Sequence, residues 1–448
     1  MRTIVVGGGA AGISAAIAAA KNGADTFLIE SESIIGGDLF SGMPLLGAYT
    51  SLGKPCVYGV LDEIIDAVKT LDLGGWIGPV CDWRTVYGLC FDPEILRLAV
   101  TLLLKKYNVR LLLNSTVTRV DSENGVVRSL EIIGRNGMRV VDCACVVDAS
   151  GGGNITAMAG GKVHYGENGR FQPLSLIFRM ANVEFEPFLR FIRDNPSEGI
   201  LGENPVLGKN PSEAAEALYA GGLPYVAVSS GGKIMGKAVR EKTLHPCTAA
   251  FITPVSVRKK EICVNATRIS GIDSADDLKV SAALMELSEQ TVNLLRFFRE
   301  KIPGFERACI SAAAHRVGIR ESGRIDGEYS LRQDEVINAV RHSDYIARGC
   351  HHVDIHGEGT AQIRIPVKNG QTYDIAYQCL LPKGLKNIIA AGRCLSSDRG
   401  ANGSARVMGT CIATGQAAGA AAAIFVKEDR RDFRDIEPAK IRAKLNCL

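Results

Sequence analysis

The chain has 448 residues, with 52 lysines and arginines against 48 aspartates and glutamates, a formal charge of +4. That length leaves room for a sizeable core and roughly two to four domains. So small a charge excess, with no basic tract, argues against a nucleic-acid partner. Thirteen cysteines lie scattered with no Cys-x-x-Cys pair, which reads as reduced, buried thiols in a cytoplasmic protein with no metal site.

In chain order, Ile4 to Val6 read as a strand, Gly7-x-Gly9-x-x-Gly12 follows at once, and Ala10 to Lys21 is rich in strong helix formers. The apolar run 4–20 resembles a secretory leader in composition, but it carries four glycines, lacks a convincing cleavage site and leads into a second strand pattern. No other segment has eighteen uninterrupted apolar residues, so no membrane span is expected. In a strand-turn-helix each glycine has a distinct role. Gly7 permits the tight turn, Gly9 lets a pyrophosphate approach the backbone, and Gly12 lets helix and sheet pack closely. Unpaired amides of the first helical turn, at Ala10 and Ala11, then face the phosphates. Asp25 to Ile29 form the next strand and Glu30 ends it, where an acid accepts hydrogen bonds from ribose hydroxyls and disfavours NADP. FAD and NAD share this half-site, and the opening stretch alone leaves the choice between them open.

Beyond Glu30, Gly36-Gly37 marks a second glycine turn. Asp62 to Leu71 and Asp92 to Tyr107 read as helices, and 109–148 as strands around the turn Asn124-Gly125. Segment 194–212, punctuated by Pro196, Gly199, Gly202, Pro205, Gly208 and Pro211, reads as a long surface loop with the composition of a lid. Residues 276–301 form a long amphipathic helix that stops at Pro303-Gly304, 387–391 a buried strand, and 406–426 one helix rich in glycine and alanine. Small residues at Gly409, Gly415 and Gly419 are expected to bring that helix close to cofactor and sheet. Alternation of strand and helix over 1–160, resumed over 355–448, predicts an α/β, Rossmann-like dinucleotide domain in two segments, with 161–354 inserted as an α+β substrate or cap domain.

"VVDASGGG" (146–153) resembles the second cofactor segment of flavoproteins of the glutathione-reductase type, with Ser150 in place of threonine. The stretch 373–419 resembles the closing flavin segment of FAD-dependent oxidoreductases related to the fumarate reductase and succinate dehydrogenase flavoprotein subunits. "VNATRISGID", "IPGFERA" and "VGIRESGRIDGEYSL" are similar to one subgroup of that family. The resemblance covers nearly the whole chain, is weakest over 165–250, and implies FAD as the cofactor that does the chemistry. Relatives with covalent flavin use a histidine soon after the first glycine turn; 31–60 contains none, so the resemblance implies non-covalent FAD. The residues expected to hold it are Gly7, Gly9, Ala10, Ala11, Gly12, Glu30, Ser31, Gly36, Gly37, Val117, Ala149, Ser150, Gly151, Gly392, Arg393, Val407 and Met408.

Candidate chemistry clusters in "HRVGIRE". Arg316 and Arg320, four apart, would share a face and suit an anionic group, unless Glu321 neutralises them as structural ion pairs. Arg406 matches a region where, in fumarate-reductase relatives, an arginine orients a substrate carboxylate or relays a proton; capping of backbone carbonyls or contact with the flavin is the alternative. The subgroup's Thr-His-Glu is replaced here by Asp398-Arg399-Gly400, and its usual Pro and Arg by Ala376 and Gln378, so the family histidine does not carry over as a general base. His315 and His356 are the acid-base candidates, with Asp354 and His356 on one face of a strand. His351-His352 would point apart on a strand and lack a third metal ligand.

These readings converge on an FAD-dependent oxidoreductase acting on a small polar, anionic or hydroxylated molecule. Reduction of an activated C=C bond is the rival enzyme reading, and an RNA-modifying or electron-carrying flavoprotein the reading from another class. No second strand-glycine-helix fingerprint and no dithiol pair is present, so the electron partner is expected to be the substrate, oxygen or a separate carrier rather than a nicotinamide.

Overall fold

Five parallel strands carry the dinucleotide lobe, in the spatial order Ile388–Ala390, Cys145–Asp148, Arg2–Val6, Asp25–Ile29, Arg110–Leu112. The computed structural model describes residues 2–167 and 169–445; Cys447 lies outside the described residues. Ile388–Ala390, Cys145–Asp148 and all but the first residue of Arg2–Val6 are buried, and their residues are mostly apolar, because a parallel sheet is covered on both faces. Val6 pairs with both Ile29 and Asp148, and Asp148 with Ala390, so these strands finish level at their carboxyl ends.

The opening helix, Ala10–Lys21, packs along the closing helix, Met408–Lys427. The contact is backbone against backbone: a β-carbon on Gly415 would overlap the carbonyl oxygen of Ala11, and one on Gly419 that of Ala15. Gly409 presses instead on residues 46–48. The small-residue stripe therefore brings helix to helix, while the same helix also packs on the sheet and places Met408 and Cys411 in the cleft wall, as its composition implied. The closing helix is long and apolar enough to cross a bilayer, and 94% of its apolar window is buried in the core.

The helix expected from Arg406 is two helices. Arg399–Ala405 is capped by Asp398, whose carboxylate accepts the Ala401 N–H at 2.7 Å. Val407 is extended (φ −69°, ψ 151°), and Met408 starts the second helix. This break gives the longer helix its own N-terminus, where the Gly409 N–H donates to the Leu46 carbonyl at 2.9 Å.

The inserted segment builds a six-stranded antiparallel sheet in the order Gly199–Ile200, Val226–Ser229, Ala249–Ser256, Glu261–Asn265, Phe178–Ala181, Cys309–Ala313. Its core includes Phe188, Phe298 and Phe305, with the Phe305 ring centroid 5.2 Å from that of Phe188 and 4.8 Å from that of Phe298. The long helix runs from Asp277 to Lys301. The proline- and glycine-rich segment is not a free loop: Gly199–Ile200 is the edge strand, and the N–H groups of Gly202 and Asn204 donate to the carbonyls of Trp83 and Arg84 at 2.8 and 2.9 Å. Backbone pairing to a neighbouring hairpin, invisible in composition, orders it.

Gly415→Ala is expected to lower the free energy of unfolding by about 1–3 kcal/mol, and with it the midpoint, because the new methyl group meets backbone that cannot yield locally. Gly221→Ala, at a helical site with open space around it, is the control and should leave the midpoint unchanged or raise it. Denaturant unfolding of both variants checks the pair.

Candidate active site

The level ends of the central strands open into one cleft of about 450 Å³. Gly7, in the left-handed region at φ +102°, turns the chain where a β-carbon would overlap the Ala149 carbonyl. Gly9 faces open space and caps the opening helix without a side-chain hydrogen bond, leaving first-turn amides exposed to the cleft. Glu30 is buried. Its Oε2 accepts the Gly8 N–H at 2.7 Å, and Oε1 accepts from the Glu32 N–H at 2.9 Å and the Ser31 hydroxyl at 3.0 Å. A carboxylate has about four lone-pair positions, so capacity remains for a ribose hydroxyl. Gly36 donates its N–H to the Gly8 carbonyl at 2.7 Å, which fastens the second glycine turn to the first.

Asp148 organises the next wall. Its Oδ2 accepts the Thr156 N–H and hydroxyl, both at 2.8 Å, while Oδ1 accepts the Ser150 hydroxyl at 2.6 Å. The Ser150 hydroxyl thus shapes the turn. At the same wall, Arg393 donates from Nε to the carbonyl of Gly151 and the hydroxyl of Ser322, each at 3.0 Å, and to the carbonyl of Ile319.

At the far end the cleft is lined by Arg316, Arg320, Arg393, Arg406, Val407 and Met408. Arg320 donates to the Pro173 carbonyl at 2.8 Å and to Asn265 Oδ1 at 3.1 Å. Burial, with nearby Arg406, pulls it down to about 10, which still leaves it cationic at neutral pH. Arg406 donates to the Asp354 carbonyl at 3.2 Å, and its buried Nε has no partner among the described residues. Arg316 makes no ion pair or hydrogen bond among the described residues. Glu321 is not their counter-ion: it is committed to Arg324 at 3.1 Å, to Arg399 at 3.1 Å and to the Gln172 N–H at 2.9 Å. Arg316 and Arg320 reach one cleft from a segment that is neither helix nor continuous strand, so their spacing alone does not explain the convergence.

Of the residues expected to hold the cofactor, Gly7, Gly9, Ala10, Ala11, Glu30, Ser31, Gly36, Gly37, Val117, Ala149, Ser150, Gly151, Arg393, Val407 and Met408 line the cleft. Gly12 and Gly392 do not. A β-carbon on Gly12 would overlap the Gly7 carbonyl, and one on Gly392 would stand 2.7 Å from the Ala11 β-carbon, so both act by allowing close approach.

The histidines are displaced too. His315 is exposed and outside the cleft lining. His356 lies behind the cleft with Nε2 3.1 Å from Asp354 Oδ2, and burial pulls its imidazole down to about 4, leaving it neutral. The rings of His351 and His352 stack at 4.0 Å instead of diverging, because both precede the Val353–His356 strand. Asp354 and Asn265, which hold the arginines, were not singled out as site residues; the Asp354–His356 spacing was the available signal.

A family model described as FAD dependent oxidoreductase matches residues 3–445. The chain belongs to this family. The likeness to solved structures is to folds of low identity. A geranylgeranyl bacteriochlorophyll reductase-like protein from Thermoplasma acidophilum is 14% identical, with a TM-score of 0.45 over 99% of this chain and 82% of that one. A p-nitrophenol 4-monooxygenase from Pseudomonas putida is 13% identical, with a TM-score of 0.48 over 100% and 89%. The myxobacterial chondrochloren halogenase is 12% identical, with a TM-score of 0.47 over 99% and 78%. No curated protein matches the chain.

The enzyme is an FAD-dependent oxidoreductase, and its cleft fits that cofactor. Gly9 leaves the space a pyrophosphate needs, Glu30 lines the same cleft, and arginines from three segments line its other end. Gly9→Val is expected to leave the cofactor-free protein as stable as wild type while sharply weakening FAD binding. Gly12→Ala should destabilise even the cofactor-free protein. Unfolding curves of deflavinated samples and FAD titrations separate the two.

Proposed function

We propose that the enzyme oxidises or reduces a small anionic or hydroxylated molecule by hydride transfer to or from the flavin N5. The observation that carries this reading is the meeting of Arg316, Arg320 and Arg406 at one end of the FAD cleft. FAD, when bound, supplies the hydride chemistry that protein side chains lack. Arg316, without a partner among the described residues, offers both guanidinium edges to a carboxylate. Arg320 arrives pre-positioned by Pro173 and Asn265, so orienting a substrate costs it little further freedom.

The start of the closing helix adds partial positive charge at Val407-Met408, at the end where negative charge develops. The thiol of Cys411 also lines the cleft, and burial pushes it up to about 12, so it stays protonated. Among the described residues no histidine lines the cleft, which leaves water or a substrate group to exchange the proton at oxygen. The kinship to fumarate-reductase flavoproteins belongs to this reading and favours, as a second direction, reduction of an enoate.

The test is anaerobic. Hydroxy acids, sugars and amines are mixed with the purified enzyme while flavin absorbance is followed, and dithionite-reduced enzyme is challenged with enoates and keto acids. Anionic substrates should dominate in one direction or the other. Arg316→Ala should keep its flavin and raise KM about 10- to 100-fold, as expected for a charged hydrogen bond worth about 1.5–3 kcal/mol. Turnover confined to molecules that are neither anionic nor hydroxylated, or an unchanged KM for an anionic substrate in Arg316→Ala, would overturn the assignment. NADH and NADPH should reduce the flavin only slowly; fast, saturable bleaching by either would reveal a nicotinamide site.

A further inference from the structure

A second cavity of about 430 Å³ lies behind the active site, between the hairpin loop at Arg84-Thr85, the edge of the inserted sheet at Ile200–Asn204, and the Gln362–Ile365 strand. Its lining and that of the FAD cleft share no residue. Polar groups in its wall are unusually short of partners. Arg84 Nη1, Arg364 Nε, Gln362 Oε1 and both ring nitrogens of His352 are buried with no hydrogen-bond partner among the described residues. Arg84 and His352 are 2% and 4% exposed. Buried polar groups in folded proteins are nearly always satisfied, so several unmet in one cavity wall mark a place where something binds.

The charge of that wall says what binds. Arg84 spends Nε and Nη2 on Glu203, at 2.6 and 3.1 Å. Arg364 reaches only the Thr85 hydroxyl at 3.2 Å, standing 3.8 Å from Glu203 and 3.7 Å from Asp354. Asp354 stays outside the lining, engaged by Gln362 at 2.7 Å and His356 at 3.1 Å. Two guanidiniums thus line the cavity against one carboxylate. Both pack on the ring of Phe251, at 5.3 and 5.4 Å, which holds them in place without neutralising them. Burial and the stacked His351 keep His352 neutral, so it presents one donor and one acceptor.

We propose that this cavity is a binding site for a small oxyanion, a carboxylate or a phosphate, held by Arg84 and Arg364 with His352 and Gln362 completing its polar contacts. The site is independent of the substrate reading of the flavin cleft, and the two fail separately.

Calorimetric titration of the FAD-loaded enzyme with inorganic phosphate in one arm and succinate in the other tests it. At least one probe should bind saturably at millimolar concentration or below, and the arm that binds identifies the source. Arg364→Gln and Arg84→Gln should each weaken that binding roughly tenfold or more, while Arg316→Ala in the flavin cleft leaves it unchanged. Should an arginine variant fail to fold, Thr360→Trp decides: Thr360 is exposed at the cavity wall, and the larger ring blocks the cavity without removing a charge. Saturable binding abolished by Thr360→Trp supports the site. Binding of neither probe, which would leave the cavity to water alone, binding that is lost in Arg316→Ala, or binding that survives Thr360→Trp in the Arg316→Ala background, where the flavin cleft no longer competes for anions, overturns it.

Discussion

Four backbone segments converge beside the end of the first strand with no room for β-carbons between them. Gly7 crowds the Ala149 carbonyl, Gly12 the Gly7 carbonyl, Gly392 the side chain of Ala11, and Gly415 the Ala11 carbonyl. Everything else in the dinucleotide lobe depends on this crowding. It sets the first glycine turn against the second cofactor segment and locks the opening and closing helices together. The cleft opens where four strand ends, at Val6, Ile29, Asp148 and Ala390, are drawn level, and Gly9, the glycine of the first turn that faces open space, is where a phosphate would enter.

The two ends of the cleft use charge in opposite ways. At the Glu30 end a buried carboxylate is engaged by local N–H and O–H donors, so its charge is held by the chain before any cofactor binds. At the other end cations dominate, and their anchors are mostly neutral oxygens: the carbonyls of Pro173, Ile319 and Asp354, and the amide of Asn265. Neutral anchors fix an arginine's position without cancelling its charge. Glu321 is occupied with Arg324 and Arg399, whereas Asp354, engaged by His356 and Gln362, also pairs with Arg406 at 3.7 Å, and Asp38 lines the cleft beside the four arginines. That division leaves an excess of guanidiniums at this end of the cleft.

Much of the dinucleotide lobe was legible in the sequence because its signals are local. The opening helix runs from Ala10 to Lys21 as read, and the first two strands end where Gly7 and Glu30 required. What could not be read was set by distant partners. The glycines of the closing helix signalled close packing, but only the fold shows that they meet the opening helix. The 194–212 segment has loop composition, yet carbonyls of the Trp83-Arg84 hairpin order it. His356 looked like an acid-base candidate from its residue type, whereas burial beside Asp354 makes it neutral and structural. Gly8, whose N–H defines the Glu30 carboxylate, went unmarked because its role rests on one hydrogen bond across 22 residues.

The claim that one continuous cleft grips the whole dinucleotide is tested most directly by titrating the deflavinated protein with FAD and, separately, with FMN, following flavin fluorescence. Part of the lining (the glycine loop, Glu30, Ser31 and Val117) would serve mainly the adenylate half and second phosphate that FMN lacks under this account. FAD should therefore bind far more tightly than FMN, by several orders of magnitude in Kd, since a charged ribose contact and the helix-terminus phosphate site are both lost. Equal affinity for the two flavins would contradict the account.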